Sequence, residues 1–233
     1  MESIAGATFD ALKLLINFDT DLWQIIWVSY SVSIRAIIFS APFAIVTAYV
    51  LAFHRFFLRQ VLILFLETWL ALPAVVVGLT LYIMLSRSGP LGDWGLLFTQ
   101  KAMVIGQIIL AFPIIAAMAF AVFKGCDERI RETTITLGLP PWKAVLVTVR
   151  ELRFGILAAV VAGFGRIIAE VGCALMVGGN ILNYTRNMTT AIALETSKGS
   201  FSGGIALGIV LLLTALSLNY IVFKLGSDRN HLL

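Results

Sequence analysis

The sequence has 233 residues, 60% of them hydrophobic and only 13% charged, with a net charge of +4 and a mean hydropathy of +0.97. So little polar surface cannot coat a soluble globule, and the chain reads as a polytopic membrane protein. The basic excess follows from where the cations fall along the chain, so it implies no nucleic-acid role.

Residues 1–21 carry Glu2, Asp10, Asp19 and Asp21 against a single base, Lys13, a pattern unlike a cleavable signal peptide. The segment is expected to stay in the mature protein. Ile4, Phe9, Leu12, Leu15, Ile16 and Phe18 form a partial helical stripe, which predicts a helix lying at the membrane interface, too short and too charged to span. Five apolar segments follow, at residues 22–53, 61–85, 102–123, 154–177 and 203–223. Each is long enough to cross the hydrocarbon core, which takes about 20 helical residues. The segments are continuous runs of Leu, Ile, Val and Ala without strict alternation, so the expected fold is an all-α helical bundle and not a barrel. Pro42, Pro73 and Pro113 fall inside the first three spans and predict kinks there.

Lysine and arginine set the orientation. Residues 54–60, 124–153 and 224–233 share one side and hold ten of them, whereas the other side holds five: Lys13, Arg87, Lys101, Arg186 and Lys198. The positive-inside rule then places the N-terminus outside and the C-terminus in the cytoplasm. Cys126 and Cys173 have no spacing that suggests a metal site or a disulfide.

The most basic cytoplasmic loop, 124–153, has internal order. Asp127 can cap a helix beginning at Glu128, Gly138 can end it in the left-handed conformation, and Pro140 and Pro141 suit the first turn of a second helix. Ile130, Thr133, Thr134 and Leu137 recur at spacings of three and four, and Trp142 opens the next helix. Such a helix either docks in a shallow groove of a soluble partner or is a solvated connector.

Ionisable residues inside spans are costly and mark candidate pathways. Arg35 falls near the outer boundary of the first span, where it either snorkels to headgroups or lines a route. Arg166 lies mid-membrane in the fourth span with Glu170 four residues on, a pair that is either structural or offers positive potential to a passing anion. Gly178, Gly179 and Asn180 close that span on the outer side. They are either a helix C-cap or a set of hydrogen-bond donors for an oxyanion.

Glu132-Thr133-Thr134-x-x-x-Gly138, followed by Pro141-Trp142, resembles the cytoplasmic EAA loop of ABC importer permeases, with threonines in place of the two alanines and Arg150-Glu151 where many members have Leu-Pro. Residues 85–92 (Leu-Ser-Arg-Ser-Gly-Pro-Leu-Gly), 163–172 (Gly-Phe-Gly-Arg-x-x-x-Glu-Val-Gly), 177–181 (Val-Gly-Gly-Asn-Ile) and 189–199 (Thr-Thr-Ala-Ile-Ala-Leu-Glu-Thr-Ser-Lys-Gly) resemble the tungstate branch of the oxyanion importers. The molybdate and sulfate permeases, which share the fourth-span pattern, remain alternatives. The resemblance implies a type I importer permease fold over residues 1–233 and an alternating-access pathway in a prokaryotic inner membrane. It also implies a coupling helix through which Glu132, Thr133, Thr134, Leu137, Gly138 and Trp142 meet an ATP-binding subunit. Arg35, Arg166, Glu170, Gly178, Gly179 and Asn180 are the pathway candidates.

Two ATP-binding subunits and an extracytoplasmic oxyanion-binding protein are the implied partners. No Gly-x-x-x-x-Gly-Lys-Ser/Thr motif occurs in the chain, so ATP and Mg are expected on the partner subunit, with no catalytic residue, metal or cofactor in this one. Five spans are too few to enclose a wide route alone, so a homodimer with the pathway on its two-fold axis is expected. An ion-coupled secondary transporter using Arg166 and Glu170 as a charge relay is the rival of another class.

Overall fold

The Asp19 carboxylate accepts a hydrogen bond from Leu22 N at 3.0 Å and so opens the longest helix of the protein. The computed structural model describes residues 4–126, 136 and 138–230, and all regular structure among them is helical. In chain order the helices are α1 (Ile4–Ile16), α2 (Thr20–Phe53), α3 (Arg59–Leu70), α4 (Ala74–Leu85), α5 (Gln100–Lys124), α6 (Pro141–Glu151), α7 (Arg153–Ile168), α8 (Gly172–Gly178), α9 (Met188–Lys198) and α10 (Phe201–Asn230), with a short 3₁₀ turn at Gly92–Trp94. The bundle is the all-α fold expected.

Of the five predicted spans, α2, α5 and α10 are single helices long and apolar enough to cross a membrane. The other two are broken. The second is α3 and α4, bent by 97°, and the fourth is α7 and α8, bent by 61°. Pro73 stands at the first break, as the residue that caps α4, so it divides the span where a kink was expected. Pro42 and Pro113 instead remain inside unbroken α2 and α5.

In lipid the hydrophobic effect does not draw helices together, so close approach must come from small side chains and dispersion contact. On α2, Ser29, Ser33, Ala36, Ser40, Ala44 and Ala48 recur every three or four residues and are all buried. They give α2 a surface of small residues, and α5, the helix on which α2 packs most extensively, likewise buries Ala102, Ala111, Ala116 and Ala119. The C-terminal ends of α2 and α5 are closed by aromatic contact, with the Tyr49 and Phe123 rings edge-on at 5.6 Å and Val145, Val149 and Leu152 packed on the same cluster. Arg59 Nε donates to Leu51 O at 2.7 Å, placing a cation on the carbonyl end of α2. At the opposite end α1 packs Ala11, Leu14 and Leu15 against α10 while exposing Phe9, Leu12 and Ile16. The helix is thus amphipathic, with one apolar face packed and another exposed.

The short helix α8 is wedged between α4 and α5. A Cβ on Gly78 would lie 2.8 Å from Cys173 Cα, a backbone atom that cannot turn aside, and one on Gly106 would lie 2.5 Å from Cys173 Sγ. Gly78→Leu should therefore destabilise the folded permease by about 3 kcal/mol, the upper range for overpacking, and Gly78→Ala by less. Thermal unfolding in lipid nanodiscs measures this, and an unchanged midpoint for Gly78→Leu would show that α4 and α8 can separate freely.

Candidate functional site: the break in the fourth span and the outer loop

A helix that stops inside the membrane leaves backbone groups needing partners, and the fourth span supplies them from its own polar residues. Ile167 O accepts from Glu170 N at 3.1 Å and from Gln107 Nε2 of α5 at 3.4 Å. Glu170, only 6% exposed, uses both carboxylate oxygens: Oε2 accepts from Arg166 Nη1 at 2.6 Å and Oε1 from Gly172 N at 3.0 Å. It thereby closes the end of α7 and caps the start of α8. The two side chains were expected on one face of a continuous helix. Glu170 instead lies beyond the last residue of α7, so the pair clasps the bend.

The next segment is anchored on this clasp. Thr189 Oγ1 donates to Glu170 O at 2.8 Å, and Met188 N donates to Ser29 Oγ of α2 at 2.7 Å. Asn187 opens α9 with a reciprocal capping box, its Oδ1 accepting from Thr190 N at 2.9 Å and its N donating to Thr190 Oγ1 at 3.1 Å. Arg166 is different from its partner: its side chain is 49% exposed against 8% for Glu170. A half-exposed guanidinium inside a candidate span cannot face lipid cheaply.

At the far end of α8, Gly179 takes φ +70° and its N–H donates to Leu175 O at 3.0 Å, while Gly178 is the last residue of the helix. These positions form the C-cap of the two readings given for them. A helix C-terminus directs carbonyl oxygens outward and spends its amides internally, so hydrogen-bond donors here come from side chains. Arg186 is such a donor: its Nε donates to Asn180 Oδ1 at 3.2 Å and its Nη2 to Asn180 O at 3.3 Å. Arg35 lies half-buried. Its Nε donates to Ser31 O at 2.9 Å and its Nη2 to Gln100 Oε1 at 2.7 Å, and Gln100 Nε2 in turn donates to Tyr184 O at 2.7 Å. Arg186, Gln100, Gln107 and Thr189 were not singled out from the sequence.

Of the expected coupling residues, Glu132, Thr133, Thr134 and Leu137 lie outside the described residues. Gly138 has φ +60°, the left-handed conformation required of a glycine turn, and α6 begins at Pro141. Trp142 is 61% exposed at the start of α6, with Lys143 Nζ 5.3 Å from its ring centroid. It sits at the end of the bundle that holds Phe53 and Phe123, opposite the Arg35 and Arg186 network.

Known proteins share this arrangement of helices. The chain is 42% identical over 92% of its length to the tungstate uptake system permease protein TupB of Campylobacter jejuni, covering 90% of that protein. It is 36% identical over 98% of its length to TupB of Peptoclostridium acidaminophilum, covering all of it. The molybdenum transport system permease protein ModB of Escherichia coli K12 is more distant, 29% identical over 83% of the chain and 89% of ModB. A chain of the inward-facing MetNI methionine ABC transporter superposes with a TM-score of 0.64 over 92% of this chain and 97% of its own, at 14% identity, which shows a common type I importer permease fold. The family model described as binding-protein-dependent transport system inner membrane component matches residues 40–227. The chain therefore belongs to that family and is a multi-pass inner-membrane transport permease, not an enzyme.

Proposed function

We propose that the chain is the permease subunit of an ATP-driven importer that moves a tetrahedral oxyanion, tungstate, into the cell by alternating access. The observation that carries this reading is the near full-length similarity, at 42% and 36% identity, to two tungstate uptake permeases, against 29% to a molybdenum permease. The site's chemistry agrees with the cargo class. A dianion needs fixed positive charge to offset lost hydration, and Arg166 offers a guanidinium at mid-depth whose field is moderated by Glu170. A fully uncompensated cation there would hold the anion and slow its release.

Two copies face each other across a two-fold axis in this proposal, because the half-exposed Arg166 belongs on a water-filled pathway and not against lipid. Each copy presents residues 124–153 to an ATP-binding subunit, which holds ATP and Mg. An external binding protein delivers the oxyanion. The cation-rich end, with Arg55, Arg59, Lys124, Lys143, Arg150 and Arg153, is cytoplasmic, so the N-terminus is outside and the C-terminus inside.

Uptake by the reconstituted complex, with tungstate, molybdate and sulfate in competition, tests the assignment. ATP-dependent accumulation of labelled tungstate, displaced by excess tungstate far better than by sulfate, is expected. Preferential displacement by molybdate would transfer the assignment to that anion. Uptake that persists without ATP and collapses with an ion gradient would reject the ATP-driven mechanism.

A further inference from the structure

Arginines at the outer end of the bundle differ from Arg166 in one respect. Among the described residues the ion pairs are Arg166 with Glu170 and Lys198 with Glu195, so neither Arg35 nor Arg186 has a carboxylate partner. Their partners are neutral oxygens. Arg35 is held by Ser31 O, Ser31 Oγ at 2.7 Å and Gln100 Oε1, and Arg186 by Asn180 Oδ1 and Asn180 O. A guanidinium fixed by amide and hydroxyl oxygens is positioned without being neutralised. In both cases the bonds use Nε and Nη2, which leaves the Nη1 donors uncommitted.

Both arginines act on one loop, residues 179–187. Arg186 grips its start at Asn180, and Arg35 reaches Tyr184 O through Gln100. The loop is firmly built. Gly179, Asn180 and Asn183 take φ of +70°, +51° and +61°, and the fully buried Thr185 joins it by donating to Gly178 O at 2.6 Å and accepting from Ile181 N at 3.0 Å. Phe98 N donates to Val177 O at 2.8 Å and ties the preceding outer loop to the end of α8.

We propose that Arg35 and Arg186, held by Gln100 and Asn180 on the loop of residues 179–187, form a receiving site for a tetrahedral oxyanion dianion at the outer mouth of the pathway. The proposal rests on the reading of the chain as an oxyanion importer permease and adds a place of entry to it. Two uncompensated guanidiniums match two negative charges, and their free N–H groups offer charge-assisted hydrogen bonds to oxygens. Arg166, compensated by Glu170, attracts the anion less strongly than an unpaired guanidinium would, so it does not retain a dianion that has entered.

Asn180→Asp separates charge from structure. It keeps an acceptor for Arg186 and a residue type that tolerates the left-handed region, while cancelling one positive charge. If the contact serves only to shape the loop, the aspartate preserves or strengthens it. If the loop receives the anion, tungstate uptake by proteoliposomes saturated with loaded binding protein should fall roughly tenfold, with ATP hydrolysis stimulated by that protein kept within about twofold of wild type. Arg186→Lys should retain much of the uptake that Arg186→Gln loses, and this pair decides the matter should Asn180→Asp not assemble. Unchanged uptake in Asn180→Asp or Arg186→Gln overturns the site. Loss of binding-protein stimulation together with uptake assigns the loop to protein docking, and also overturns it. A wild-type complex that takes up none of tungstate, molybdate or sulfate removes the importer reading itself.

Discussion

Glu170→Ala is expected to lower the stability of the folded permease by about 2–3 kcal/mol and to abolish transport, because it deletes two charge-assisted hydrogen bonds at once. Gly172 N loses its cap, and Arg166 loses the carboxylate 2.6 Å away. The figure is kept below the cost of breaking a fully buried pair because the Arg166 side chain is 49% exposed. Glu170→Gln is the informative companion, since an amide oxygen can still accept one of the two bonds while the charge disappears. It should retain most of the stability yet turn over slowly, because an uncompensated Arg166 retains the dianion. Removing both charges, as Arg166→Gln with Glu170→Gln, should assemble and transport poorly if the guanidinium serves the anion. Wild-type turnover per assembled complex in that double variant, measured beside thermal unfolding, would reduce the pair to a structural clasp.

The limits of the sequence show in the same residues. Five spans were legible because lipid demands long apolar runs, and Pro73 marked a break because proline cannot continue a helix. The break after Ile168 carries no proline, so apolar continuity hid it. Only Gly172 and the Glu170 carboxylate that caps it betray the interruption, and that role depends on geometry beyond helical spacing. Arg166 and Glu170 were found together since four residues separate them. Arg35 and Gln100, by contrast, are 65 positions apart, Gln100 and Tyr184 are 84 apart, and Ser29 and Met188 are 159 apart. Periodicity does not encode such pairs. The free Arg186 was counted as one of the outer cations and no more, for its significance depends on the neutral oxygens that hold it.

Substitution of Glu132 by arginine is expected to uncouple the complex, reducing uptake at least about tenfold while the permease still inserts and binds its partners, because a reversed charge at a docked helix costs on the order of a few kcal/mol. The motif that resembles a coupling helix has its only described geometry at Thr136, which is helical, at Gly138 with φ +60°, and at α6, which starts on Pro141. That turn carries the loop directly into α6, whose Val145 and Val149 pack against Tyr49, Phe53, Phe123 and Ile156 at the C-terminal ends of α2 and α5 and the N-terminal end of α7. A push on the loop therefore meets side chains of three membrane helices rather than a slack tether. Trp142, exposed at the head of α6, extends the contact surface, and Trp142→Ala should weaken association with the ATP-binding subunit by about 2 kcal/mol if it is buried there. The two variants fail differently: Glu132→Arg in the ratio of ATP hydrolysed to oxyanion moved, Trp142→Ala in complex recovery. Normal stimulated hydrolysis and normal uptake in Glu132→Arg would remove residues 124–153 from the coupling path and leave α6 as a structural brace alone.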